Sequence, residues 1–80
     1  MDQQDILKEL QSIFVQVFNR PDIQIENSTK AEDVEGWDSL NHAILMDQIE
    51  KHFELRFDLM DMLKMQTVAD ICTLIEAKKA

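Results

Sequence analysis

The segment Gly36-Trp37-Asp38-Ser39-Leu40, near the middle of the 80-residue chain, holds the side chains with the clearest chemical potential. Asp38 and Ser39 are residue types that begin helices, and an apolar-rich stretch follows them. The Ser39 hydroxyl would then lie at a helix N-terminus, where free N–H groups and the helix dipole favour an attached phosphate. The plain alternative is that this Asp-Ser pair only caps a helix, because both residue types are common there.

A serine and a histidine three residues apart, Ser39 and His42, also suggest nucleophilic catalysis. However, the chain lacks a G-x-S-x-G turn, and its length leaves no room for a substrate pocket with an oxyanion hole. His42 is therefore expected to be exposed or to touch a phosphate on Ser39. His52 has no metal-ligand spacing to Glu50 or Glu54. We predict no catalytic residues, no metal site and no enzymatic activity.

Periodic apolar residues predict the helices that would position this segment. The first helix is predicted from about Asp2 to Asn19, because apolar residues recur there at steps of one, three and four. Pro21 would end it, since the residue before a proline is disfavoured in a helix. A second helix is predicted from Ser39 to about Phe53. Its inward stripe is expected to comprise Leu40, Ala43, Met46, Ile49 and Phe53.

Two further helices are predicted in the last third of the chain. A short one would be capped by Asp58 and run to about Lys64, and the last would begin at Thr67-Val68-Ala69-Asp70, which has the spacing of a capping box. The residues of the short helix expected to point inward are Leu59, Met62 and Leu63.

These elements predict an all-α fold, a small bundle of three main helices plus a short one, in a single domain over residues 1–80. A long loop, residues 20–38, would join helices one and two. Its Ile23 and Ile25 alternate with polar residues, and with no second strand to pair with they are expected to lie over the core. Loops of this length in small domains are usually functional.

The chain carries 16 acidic and 8 basic residues, a formal net charge of −8. Such a surface repels nucleic acid and suits partners with basic patches. The single cysteine, Cys72, allows no internal disulfide, and its place on an apolar stripe predicts burial. No secretory signal and no apolar run of membrane-spanning length is present, so we expect a cytoplasmic monomer without membrane insertion.

The segment around Ser39 resembles the modification motif of the acyl and peptidyl carrier proteins, in which Asp-Ser-Leu is preceded by a glycine and one further residue. The resemblance extends over nearly the whole chain, through Ile49-Glu50 in the second helix to Thr67-Val68 at the start of the last. The acidic composition, the length and the mid-chain serine are also similar to that family.

The resemblance implies that Ser39 accepts 4′-phosphopantetheine from coenzyme A. A separate phosphopantetheinyl transferase, a holo-acyl carrier protein synthase, would install it and would recognise Asp38. The arm would carry acyl groups as thioesters and present them to acyl-loading and acyl-transferring enzymes, as in fatty acid or polyketide biosynthesis. A peptidyl or aminoacyl carrier is the closest alternative, and an unmodified helical interaction domain is a second.

The second helix departs from that of the housekeeping fatty-acid carriers, in which it is strongly acidic. Ile44 stands where those carriers have an acid, and Trp37 replaces a small residue. These features resemble carriers of specialised pathways. They predict partners that read an apolar and mixed-charge patch formed by Trp37, Leu40, Ile44 and Asp47. For Trp37, packing over the core as a lid is the alternative.

Overall fold

The computed structural model describes residues 2–79, so the predicted domain ends, Met1 and Ala80, lie outside the described residues. The helices are α1 Gln3–Phe18, α2 Ser39–Phe53, α3 Leu59–Leu63 and α4 Val68–Lys79, with a 3-10 turn at Ala31–Asp33. Within this range the only β-type pairing is an isolated antiparallel bridge between Lys30 and Thr67. The predicted all-α fold of three main helices plus a short one is confirmed.

The boundaries of α1 agree with the prediction because both of its ends are capped. At the N-terminus, the carboxylate of Asp2 accepts a 2.9 Å hydrogen bond from the backbone N–H of Asp5. At the C-terminus, Asn19 adopts the left-handed conformation with φ 53° and donates its N–H to the carbonyl of Val15. The helix therefore ends before Pro21 is reached.

One hydrophobic core is shared by the long helices and the long loop. α1 packs against both α2 and α4. Burial of each large aliphatic side chain contributes about 1.5–3 kcal/mol relative to leaving it in water. The side chains with less than 2 % exposure, together with Met46 at 2 %, are Ile6, Leu10, Phe14, Leu45, Ile49, Val68, Ile71, Cys72 and Ile75.

The loop between α1 and α2 lies over this core, as predicted. Ile23 and Ile25 are each only 7 % exposed. Gln11 of α1 holds both of them, because its side-chain amide donates to the carbonyl of Ile23 and its oxygen accepts the N–H of Ile25 at 2.9 Å. The loop backbone is thus fixed to the helix that precedes it.

The start of α4 is fixed by a capping box and by the loop. Thr67 Oγ1 accepts the N–H of Asp70 at 3.2 Å, and the Asp70 carboxylate accepts the N–H groups of Gln66 and Thr67 at 3.0 Å each. The hydrogen bond from Gln66 is the main reason that the pKa of Asp70 lies below its ordinary value. The N–H of Val68 donates to the carbonyl of Thr29 at 2.9 Å.

The predicted inward stripe of α2 is wrong in its first half. Leu40 is 71 % exposed and Ala43 is exposed as well, whereas the buried face begins at Leu45. The stripe advances in steps of three residues, each short of a full helical turn. From Leu40 to Ile49 the chain makes about 2.5 turns at 3.6 residues per turn, so these two side chains lie on opposite sides of the helix.

The predicted inward positions of α3 are also partly wrong. Leu59 is 71 % and Leu63 65 % exposed, while Met62 is partly buried against the core. A helix of five residues contacts the body along one line only, and the i, i+4 pair of leucines lies off that line. No helix within residues 2–79 is long and apolar enough to cross a membrane.

Candidate functional site

Ser39 is the first residue of α2, and its side chain is exposed. Asp38 is the N-cap and its carboxylate accepts the backbone N–H of Asn41 at 2.8 Å. The N–H groups of a first helical turn lack intrahelical partners, and the partial positive charge there stabilises an anion by about 0.3–1 kcal/mol. The exposed Ser39 hydroxyl at this helix end therefore fits an attached phosphodiester.

A sharp turn at Gly36 sends Trp37 inward and leaves Ser39 outside. Gly36 has φ +91°, in the left-handed region that other residues rarely adopt. The N–H of Asp38 donates to the carbonyl of Gly36 at 2.9 Å, and the side-chain amide of Asn41 donates to the same carbonyl at 2.6 Å. The glycine is needed for its backbone conformation, because an added Cβ would meet only Phe18 at an ordinary 3.8 Å.

Trp37 is 9 % exposed and belongs to the core, which confirms its interpretation as a lid. Its ring makes an edge-to-face contact with Phe14, with centroids 5.2 Å apart and planes at 82°. The ring of Phe18 joins the same cluster, with its centroid 6.3 Å from that of Trp37. The indole Nε1–H donates a 2.9 Å hydrogen bond to Nδ1 of His42, and the two rings lie nearly parallel at 16°.

His42 is half-buried, so the first of its two expected placements, exposure, is wrong, while contact with a phosphate on Ser39 stays a prediction. Burial lowers the pKa of His42 below its ordinary value of 6.5, since an apolar surrounding disfavours the imidazolium. The hydrogen bond from Trp37 acts in the same direction, because Nδ1 accepts only while it carries no proton. Both effects favour the neutral imidazole of His42 over the imidazolium.

An open cleft of about 430 Å³ lies beside Ser39. It exposes both polar and apolar atoms and is wide open to solvent, unlike an enclosed catalytic pocket. Its lining residues are Ala31, Trp37, Asp38, Ser39, His42 and Met65. A flexible group attached to Ser39 would begin at the rim of this cleft.

Three of the four residues predicted to contact partners lie on the surface of α2. Leu40 is 71 % exposed, Ile44 is 42 % exposed, and Asp47 is exposed and forms a 3.0 Å ion pair with Lys51. Their i, i+4, i+7 spacing places them on one face, opposite the buried side of the helix. Trp37 lies beneath the surface instead.

The sequence interpretation missed the apolar surface of α3. Its exposed hydrophobic residues are Leu59, Met60 and Leu63. The length of the helix could have indicated this surface, since a helix of five residues cannot turn every apolar side chain toward the core.

The thiol of Cys72 lies in the core, away from the cleft. Burial, reinforced by Glu76, raises the pKa of the Cys72 thiol to about 11, which leaves it protonated and unreactive at neutral pH. In the part of the chain that the structure describes, no cluster of His, Cys, Asp and Glu is arranged to hold a metal ion.

Comparison with known proteins gives a family and a fold. Residues 8–75 match the family described as "Phosphopantetheine attachment site", and that range contains Ser39. The chain is also similar to the solution structure of the holo acyl carrier protein from Geobacter metallireducens, with 36 % sequence identity and a TM-score of 0.87. The alignment covers 91 % of this chain and 84 % of that one. Among curated proteins no significant match was found.

Proposed function

The chain belongs to the acyl carrier protein family, whose covalent group is 4′-phosphopantetheine, and on that premise we propose that Ser39 is the residue to which the arm is attached. The protein is a carrier and not an enzyme. The arm supplies a terminal thiol that holds an acyl group as a thioester. The chain's own residues hold the base of the arm and present it to partner enzymes.

The observation that carries this proposal is the exposed hydroxyl of Ser39 at the first position of α2. The chain has two other serines, Ser12 and Ser28, and both are exposed as well. Ser12 lies inside α1 and Ser28 in a turn of the loop, so neither offers its hydroxyl at a helix N-terminus. The three serines therefore form a matched set for a test of position.

Intact-mass spectrometry tests the attachment point. The protein is incubated with coenzyme A, Mg²⁺ and a broad-specificity phosphopantetheinyl transferase. We expect the wild type, Ser12→Ala and Ser28→Ala each to gain one phosphopantetheinyl group, and Ser39→Ala to gain none. Failure of the wild type to gain mass under conditions that modify a control carrier would sink the proposal, as would modification of Ser39→Ala.

We propose that the transferase recognises Asp38, whose exposed carboxylate stands next to the reacting hydroxyl. Asn caps helices as well as Asp does, so Asp38→Asn removes the charge and keeps the cap. We expect this variant to be modified roughly tenfold more slowly, which corresponds to about 1.4 kcal/mol. Unchanged helicity by circular dichroism, together with an unchanged modification rate, would contradict this role.

We propose that partner enzymes dock on the patch formed by Trp37, Leu40, Ile44 and Asp47, in which the last three side chains are exposed and Trp37 is 9 % exposed. The exposure of the three residues on one side of the helix supports this. The variants Leu40→Ala and Asp47→Asn should lower kcat/KM of an acyl-transferring partner several-fold. Asp22→Asn is the matched control, because Asp22 is an exposed acid in the loop with its own ion pair.

Because this face mixes apolar and charged groups, we propose that the cognate enzymes belong to a specialised pathway and not to bulk fatty-acid synthesis. A single ketosynthase can be supplied with this carrier and with a fatty-acid carrier whose second helix is all acidic. Equal kcat/KM for the two carriers would contradict the proposal. A ketosynthase that prefers one of them by tenfold or more would support it.

We propose further that residues 1–80 act as a single carrier domain, monomeric and cytoplasmic. The core shared by α1, α2, α4 and the loop supports the single domain. The buried thiol of Cys72, which has no partner for a disulfide, fits a reducing compartment. Sedimentation equilibrium should return a mass near 9.4 kDa, and twice that mass would contradict the monomer.

A further inference from the structure

The pair formed by Trp37 and His42 leaves one hydrogen-bonding group unused beside the attachment point. Within residues 2–79, Nδ1 of His42 accepts the indole N–H, and Nε2 bonds no other group. Among the side chains that the structure describes, every fully buried nitrogen or oxygen atom has a hydrogen-bond partner. Because Nε2 has none, it is accessible to solvent. His42 and Ser39 line the same cleft.

The indole hydrogen bond fixes which nitrogen of His42 carries the proton. Trp37 Nε1–H is a donor only, so Nδ1 must offer a lone pair, and in the neutral imidazole the proton then resides on Nε2. Two ring nitrogens of a neutral histidine are distinct, and the partner of one sets the role of the other. Nε2–H is thereby prepared as a donor without any need for a positive charge.

Helix geometry brings this donor toward Ser39. Residues three apart on a helix lie on the same face, with Cβ atoms about 5–6 Å apart. Side chains in a helix lean toward its N-terminus, so the His42 ring leans toward the turn that carries Ser39. Its contact with Trp37, which precedes the helix, agrees with that direction.

We propose, on the premise that Ser39 carries the arm, that His42 is a binding residue for the arm, with its Nε2–H donating a hydrogen bond to the phosphodiester oxygen and Trp37 fixing the required tautomer. The other ionisable side chain lining the cleft, Asp38, is an acid and repels a phosphodiester, so a further donor beside the free N–H groups of the first helical turn favours the arm. The neutral donor offsets that repulsion at the base of the arm.

A purely structural role for His42 would require only the acceptor Nδ1 and not the donor Nε2–H. A buried indole N–H needs an acceptor, and Nδ1 would satisfy it whatever Nε2 does. Two substitutions separate the roles. His42→Asn keeps an acceptor near the position of Nδ1 and removes the Nε2 donor, whereas His42→Gln places an N–H donor near the position of Nε2.

The test uses holo protein prepared with coenzyme A and a phosphopantetheinyl transferase. The ³¹P signal of the phosphodiester is recorded for the wild type and both variants. We expect His42→Asn to move this signal toward that of the unfolded holo protein, and His42→Gln to leave it near the wild-type value. His52→Gln, a change to the other histidine of α2, which pairs with Glu9, should not move it.

A second readout needs no variant and so does not depend on variants that fold. In the wild type, the NMR titration midpoint of His42 should rise by about 0.5–1 pH unit on going from apo to holo protein, because a nearby anion favours the imidazolium. A ³¹P signal indifferent to both His42 substitutions, or an unchanged His42 midpoint, overturns the inference.

The outcomes also separate this inference from the proposed function. If intact mass shows modification at Ser39 but the ³¹P signal ignores His42, the carrier function stands and the inference fails. If His42→Asn preserves the wild-type signal and His42→Gln does not, the role of His42 is structural. If Ser39 gains no arm, both fail together.

Discussion

Nζ of Lys78, near the end of α4, lies 2.8 Å from the carboxylate of Asp61 in α3. Both side chains are partly buried, at 29 % and 16 % exposure. Asp61 also accepts the N–H of Asp58 at 3.1 Å within the capping box of the short helix. This pair attaches α3 to the body of the protein, a task that the exposed leucines of α3 do not perform.

The Asp61–Lys78 pair should make stability sensitive to acid. The hydrogen bond from Lys78 is the main cause of a folded-state pKa of Asp61 below its ordinary 3.8. Its contribution is therefore complete above about pH 4 and is lost as pH falls through the lower, folded-state pKa. The test is urea unfolding between pH 2 and 6, roughly two units on either side of the ordinary pKa of 3.8. Over this range, the free energy of unfolding of Asp61→Asn should fall less toward acid pH than that of the wild type.

A matched control for that prediction is Asp47→Asn. Asp47 forms an exposed i, i+4 ion pair with Lys51, and such pairs contribute little. If Asp47→Asn reduces the acid sensitivity as much as Asp61→Asn does, the partly buried contact between α3 and α4 is not its source.

His42 should contribute a second pH dependence, nearer to neutrality. Its folded-state pKa is lowered from 6.5 by burial, so its contribution to the free energy of unfolding is complete above about pH 6.5. It is lost as pH falls through the lowered pKa. We expect the apo wild type to lose stability over this range and His42→Gln to lose less. A His42→Gln profile parallel to that of the wild type would contradict this prediction.

A matched pair of leucines tests the assignment of the core. Leu10 is fully buried and Leu40 is 71 % exposed. Leu10→Ala should lower the free energy of unfolding by about 2–5 kcal/mol, the usual result of a cavity in a packed core. Leu40→Ala should change it by no more than about 0.5 kcal/mol. Chemical denaturation measures both, and similar losses in the two variants would refute the assignment.

Glu54 offers a stabilising substitution. It ends α2 in the left-handed conformation with φ 57° and ψ 53°, which a residue with a Cβ adopts at a cost. Glycine meets no such cost, so Glu54→Gly should raise the free energy of unfolding by about 0.5–1 kcal/mol. Glu54→Ala keeps the Cβ and should bring no gain. Equal effects of the two variants would point to the glutamate side chain instead of the backbone.

Local chemistry in the sequence predicted the helix ends well. Asp38, Asp58 and Thr67 each act as the caps that their types and spacing indicated, and Asp2 caps α1 at the start that its apolar periodicity predicted. The position of Ser39 at a helix start followed from the same local signals. These features depend on neighbours within a few residues, which is why a single sequence is sufficient to predict them.

The errors arose where tertiary packing decides. Leu40 belongs to both the predicted inward stripe and the predicted partner patch, and which of the two is right depends on the side of α2 that packs against α1. The hydrogen bond from Trp37 to His42 spans five residues across a turn whose direction depends on Gly36. Side-chain type alone therefore cannot decide whether His42 is exposed or contacts the arm.

The burial of Trp37 has a practical consequence. The chain contains one tryptophan and no tyrosine, so its near-ultraviolet emission arises from a single indole. That indole packs on Phe14 in the core and donates to His42 beside Ser39. Unfolding, protonation of His42 and attachment of the arm should therefore each change the emission of this one tryptophan. Unlabelled protein can then report each process in turn, when denaturant, pH or the transferase reaction is the variable.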